Sequence, residues 1–245
     1  MTLKSKEMLI ISNLLTIFLI STTIKLISSL AISNLTSINQ FKRDYYNYAC
    51  ELSTIYDSSE FIYDIERSNI VDGQEGLPLH LIIRLINSNT CSPLQGVYVH
   101  VWHANAFGQF STGRTINSMK LNEYELFLRG HQITDPQGDV SFKTIIPGWI
   151  SKRTNHIYVR VTLDSTSESA IYNGQLFFEE KFLELVKVSF PYSLHLKKIN
   201  FITNQDDLVY NTNHQGAETT LSLAELGSGY QTIITLGVDP SKVIK

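Results

Sequence analysis

The sequence predicts an all-β fold, a two-sheet β-sandwich, and three observations carry that expectation. Apolar residues recur with period two from residue 79 onward, turn residues separate the runs at short spacing, and helical character is confined to residues 179–188. In the first run Leu79, Leu81, Ile83 and Leu85 alternate with His80, Ile82, Arg84 and Ile86, until Asn87-Ser88-Asn89 breaks it. Val97, Val99 and Val101 alternate with Tyr98, His100 and Trp102 in the second. Residues 127–134 and 139–145 flank Asp135-Pro136-Gln137-Gly138, a turn with Pro at its second position and Gly at its fourth. Val159, Val161 and Leu163 share one face of the next strand, and His156, Tyr158, Arg160 and Thr162 share the other. Residues 175–178 and 230–236 read as further strands. No internal repeat is visible.

Composition agrees with one ordinary globular domain: 43% hydrophobic and 18% charged residues over 245 positions. A formal charge of −3 offers no footprint for nucleic acid, and neither a P-loop nor a GxGxxG loop is present.

The N-terminus departs from that average. Lys4 and Lys6 precede an apolar run over residues 8–24 that Ser12, Asn13, Thr16 and Ser21-Thr22-Thr23 interrupt, and Lys25 ends it. The run is shorter than the ~20 apolar residues that cross a bilayer. With Ser28-Ser29-Leu30-Ala31 behind it, the segment reads as a signal peptide over residues 1–31, cleaved after Ala31. An uncleaved signal anchor is the alternative. Residues 32–49 follow as a linker and residues 50–241 as the β-sandwich domain. Both export readings place that domain outside the cytosol, secreted or tethered to the membrane, and no later stretch is apolar enough to span. Two cysteines suit this compartment: a Cys50–Cys91 disulfide would close a loop of about 40 residues, worth roughly 3–4 kcal/mol in the chain-entropy model. The alternative is two unrelated buried thiols. Asn34-Leu35-Thr36 is the only glycosylation sequon.

Several motifs then occur in order. CSPLQGVYVHVWHANAFGQFS spans residues 91–111 and FLRGHQITDPQGDVSFKTIIPGWI residues 127–150; RTNHIYVRV follows at 153–161 and GQLFF at 174–178. With GQEGLPL at 73–79 and TLGVDPS at 235–241, this pattern resembles the intradiol ring-cleavage dioxygenases, especially their secreted branch with its extra cysteine. The resemblance runs from about Cys50 to Ser241. It implies the same sandwich and, in active members, a ferric ion held by two tyrosines and two histidines. Phenolates are hard, anionic donors that favour Fe(III), and imidazoles complete such a site.

This chain departs from that ligand set. The family tyrosine of G-x-Y-S is Phe110 in Gly108-Gln109-Phe110-Ser111, and that of P-G-W-Y is Ile150 after Pro147-Gly148-Trp149. Of the H-x-H histidines His156 is kept, and the second position is Tyr158. A neutral imidazole and a phenol fall short of the three or four ligands of a catalytic metal, and no nearby carboxylate in sequence completes a 2-His-1-carboxylate set. Arg153 and Gln175 match the family arginine and glutamine of the pocket. The family's T-E-G-P-Y-Y segment is represented only by residues 57–62.

The resulting expectation is an exported pseudoenzyme without a cofactor, its pocket open to a small aromatic ligand. The alternatives are an active Fe(III) dioxygenase cleaving catechol-type aromatics with O₂, and an interaction module with a closed pocket. His103 is read as a packing residue; His80, His131, His195 and His214 are read as isolated surface or core residues. His100 and His103 are expected on opposite faces. No pattern names a protein partner.

Overall fold

Alternation translates directly into two packed sheets. The structure is a computed structural model that describes residues 64–111, 126–165, 170–195, 201–212 and 215–244. The expected signal segment, the linker, Asn34, Cys50 and His214 lie outside the described residues. Ten strands follow in order: β1 (Pro78–Asn87), β2 (Ser92–Pro93), β3 (Tyr98–Trp102), β4 (Arg129–Ile133), β5 (Asp139–Ile145), β6 (His156–Thr162), β7 (Ala170–Phe178), β8 (Thr220–Leu221), β9 (Ala224–Leu226) and β10 (Gly229–Val238).

One five-stranded sheet has the order β2-β1-β10-β9, with β5 also paired to β1; the other runs β4-β3-β6-β7-β8. Both are mixed. Strand β1 pairs with β10 in parallel over its length and with β5 antiparallel, while β7 and β8 are parallel. The core lies between the sheets. Leu79, Leu81, Ile83 and Leu85 of β1 meet Val99 and Val101 of β3 and Ile157, Val159 and Val161 of β6 in one buried cluster. Side chains of period two alternate between this core and the outer faces. Helix α1 (Glu180–Val188) buries Leu183 and Val186 in the same cluster, as the helical stretch at 179–188 implied.

The expected turn forms, with the Gly138 N–H donating to the Asp135 carbonyl at 2.9 Å. Helical character is not confined to residues 179–188, since short helical turns also form at Leu208–Asn211 and Gln215–Glu218, and two strand details depart from the sequence reading as well. Pairing of β6 with β7 shifts register between Val161 and Thr162, so Leu163 falls beyond the strand and is exposed instead of facing the core. Strand β4 starts at Arg129 because Leu128 takes a positive φ of 55°. Cys91 sits in the turn after β1, also at positive φ. Residues 64–70 run beside β4: the Arg67 N–H donates to the His131 carbonyl and the His131 N–H to the Ile65 carbonyl, each at 3.0 Å. Among the described residues no helix is long and apolar enough to cross a membrane.

Candidate functional site

Strand β6 turns Ile157, Val159 and Val161 into the core and therefore presents His156 and Tyr158 together on the outer face. Across the ladders His156 pairs with Phe177, and Tyr158 with both Gln175 and Trp102, so these side chains share one face of the sheet. The indole of Trp102 stacks on the Tyr158 ring at 5.0 Å with 3° between planes. His156 meets Tyr158 edge-on at 4.7 Å, and Phe110 lies 6.1 Å from Tyr158.

Phe110 and Ile150 arrive on two loops that lock together. Asn105 Oδ1 accepts from the Phe107 and Gln109 N–H groups at 3.0 Å, and the Asn105 carbonyl accepts from Gly108 and Gly148 at 2.9 and 3.0 Å. Gly108 has φ +72°, and a Cβ there would lie 2.0 Å from the Trp149 carbonyl oxygen; one on Gly148 would lie 2.3 Å from that of Ala106. The glycines of both motifs are thus required by backbone approach. They are retained although the residues two positions beyond them carry no donor atom.

The polar side of the site is tightly wired. Arg153 donates from Nε to Asp207 Oδ2 at 2.8 Å and from Nη2 to Gln175 Oε1 at 2.5 Å. The buried Asp207 carboxylate also accepts from the N–H groups of Thr154, Val209 and Tyr210 at 2.8, 2.8 and 3.1 Å. Burial pushes Asp207 up, but Arg153 and these donors outweigh it and leave the carboxyl below its usual range. Nothing in the sequence analysis singled out Asp207. Its local signal is an aspartate placed as the N-cap of the helical turn Leu208–Asn211.

His156 Nδ1–H donates to the Thr154 carbonyl at 2.7 Å, which leaves Nε2 as the bare acceptor. Burial, helped by the Arg153 charge, depresses its pKa to about 3, so the ring is neutral. Among the described residues, His156 Nε2 and Gln175 Nε2 are both buried without a hydrogen-bond partner. One neutral imidazole nitrogen matches a single position of a ferric centre. Phe110 and Ile150 supply no anionic donor, and the Tyr158 phenol lies against Trp102. The residues present do not fit the family's ferric ion.

His103 keeps its packing role, whereas His131 is not isolated. His103 follows β3 and is buried, donating from Nδ1 to the Ala104 carbonyl and accepting at Nε2 from Thr144 Oγ1 at 2.6 Å. His131, read in sequence as isolated, and His100, read there only by its face relative to His103, are cross-strand partners on β3 and β4 that converge on Asp64.

Comparison with known proteins gives a consistent result. A family model described as dioxygenase matches residues 59–179. The intradiol ring-cleavage dioxygenase from Tetranychus urticae is 28% identical, with a TM-score of 0.68 over 79% of this chain and 97% of that one. A dioxygenase domain from Streptomyces sp. SirexAA-E is 19% identical, with a TM-score of 0.53 over 77% and 99% of the two chains. The 3-chlorocatechol 1,2-dioxygenase of Rhodococcus opacus 1CP is 19% identical, with a TM-score of 0.51 over 76% and 71%. The last two establish the fold alone. No curated protein matches.

Proposed function

The chain belongs to the intradiol ring-cleavage dioxygenase family, and from that premise we propose that it is an exported pseudoenzyme whose former iron pocket takes a small neutral or anionic aromatic ligand. The observation that carries this reading is a pair of buried atoms without a partner among the described residues, His156 Nε2 and Gln175 Nε2, in a site whose two anionic ligand positions are Phe110 and Ile150. An unpaired buried polar group costs roughly 1–3 kcal/mol. A ligand hydroxyl donating to His156 and a ligand oxygen accepting from Gln175 would recover that cost, with the partly exposed Phe110 and Tyr158 offering aromatic surface. A ferric ion would gain only the His156 nitrogen, and the apolar groups at positions 110 and 150 cannot offset the desolvation of a trivalent charge.

Purified protein loaded with iron is expected to stay colourless, without phenolate-to-iron charge transfer or catechol-dependent O₂ uptake. The triple variant Phe110→Tyr, Ile150→Tyr, Tyr158→His is expected to gain both iron and colour. Wild-type protein with near-stoichiometric Fe(III) and O₂ uptake on catechol would refute the reading.

The export half of the proposal rests on the N-terminal segment and on Cys91, with Cys50 as its disulfide partner. Titration of the secreted protein under denaturing conditions is expected to find no free thiol; two free thiols would remove the bond.

A further inference from the structure

Outside the pocket, the outer face of the same sheet carries a second cluster. His100 of β3 and His131 of β4 are direct cross-strand partners with ring centroids 5.0 Å apart. Asp64, on the segment that runs beside β4, is inserted between them. Its carboxylate lies 3.0 and 3.1 Å from His100 Nδ1 and 2.7 Å from His131 Nδ1. The side chains of Asp64 and His100 are 2% and 1% exposed, and that of His131 13%. This is two imidazoles and one carboxylate, assembled from three chain segments.

The hydrogen-bond network sets the tautomer of His100. The Thr162 hydroxyl donates its single proton to the Asp164 carbonyl at 2.7 Å, so toward His100 Nε2, 3.1 Å away, it can only accept. His100 Nε2 therefore carries a proton. In a neutral ring Nδ1 is then a lone pair, aimed at a carboxylate at hydrogen-bond distance. Two electron-rich groups in a buried site need a positive centre between them. A second proton on His100 would supply one for that ring. A metal ion would supply it for all three residues at once, and the Thr162-to-His100 bond is the outer partner that metal-ligating histidines regularly have.

We propose that Asp64, His100 and His131 form a binding site for a divalent transition-metal ion of the zinc class, separate from the former iron pocket. Imidazole with carboxylate suits Zn²⁺, which accepts a three-residue site completed by a small ligand. Zinc-bound N and O atoms in a tetrahedron stand about 3.3 Å apart. The three donor atoms lie within 4.8 Å of one another, so side-chain movements of about 1.5 Å or less bring them to that spacing. Arg129 is the nearby cation that would compete. Its charge interacts with that of Asp64, while its Nε donates to Ser111 and its guanidinium lies 6.0 Å over the Trp102 ring. The site ties residues 64–70 to the sandwich, which gives the metal a structural role.

The test uses the full-length chain, stripped with a chelator and titrated with Co²⁺ as an optical probe, then with Zn²⁺ as competitor. One Co²⁺ per chain with visible d–d absorption is expected, displaced stoichiometrically by Zn²⁺. His131→Gln, at the most exposed ligand, is expected to weaken binding at least ~100-fold, whereas His156→Gln leaves it unchanged. Wild-type protein that binds neither ion stoichiometrically would overturn the proposal, whatever the variants do. So would binding lost in His156→Gln and kept in His131→Gln.

Discussion

Asp207→Ala is expected to destabilise the fold by about 3–5 kcal/mol, read from chemical denaturation of variant and wild type. The carboxylate is buried and serves Arg153 Nε and the backbone N–H groups of Thr154, Val209 and Tyr210. Alanine would leave a partly buried guanidinium without its counter-charge and backbone donors without an acceptor. Either loss alone is costly in a site with little water. Asp207→Asn retains acceptor capacity but removes the charge, so its penalty should be clearly smaller. The effect also reaches the pocket, since Arg153 bridges Asp207 to Gln175 Oε1. Ligand affinity should therefore fall in Asp207→Asn at temperatures where the variant remains folded. A loss of under 1 kcal/mol in the alanine variant would mean that the network is replaceable by solvent.

The contrast between Asp207 and the strands shows what a linear reading can reach. Leu79, Leu81, Ile83 and Leu85 declare a buried strand face because period-two alternation is a local property, and the sheet uses it unchanged. The motif residues Gly108, Phe110, Gly148, Ile150 and His156 were legible too, since each belongs to a short pattern with its own backbone demands. Leu163 was misplaced because an irregularity in the pairing of β6 and β7 is set by the partner strand. Asp207 meets Arg153 across 54 residues, and Asp64 meets His131 across 67. Neither pairing has a local pattern. His131 was visible only as an isolated imidazole, and His100 only by its spacing from His103, because nothing in the chain states that β3 and β4 are neighbours in that register. The orphaned Nε2 atoms of His156 and Gln175 are likewise properties of packing. Function here rests on residues whose types are readable and whose partners are not.

Acid should destabilise this protein well before its carboxylates titrate, and His103 and His156 are the reason. Burial lowers their pKa values to about 4 and about 3, whereas in the unfolded chain both return to the ordinary histidine value of about 6.5. Between those limits the unfolded state binds more protons than the folded one, so stability falls as pH falls. Each histidine approaches a slope of about 1.4 kcal/mol per pH unit within that window, and the two together remove about 3 kcal/mol between pH 6.5 and 5. Asp64 and Asp207 do not blur this window. Their folded pKa values lie below the ordinary carboxylate value, so their contribution is lost only below about pH 4. Urea midpoints measured from pH 7.5 to 5 on chelated protein should decline steadily, and the slope in His156→Gln should be about half that of wild type. The comparison uses slopes because either substitution also costs packing. Stability independent of pH across that range would mean that one or both imidazoles gain access to solvent or a counter-charge in the folded protein.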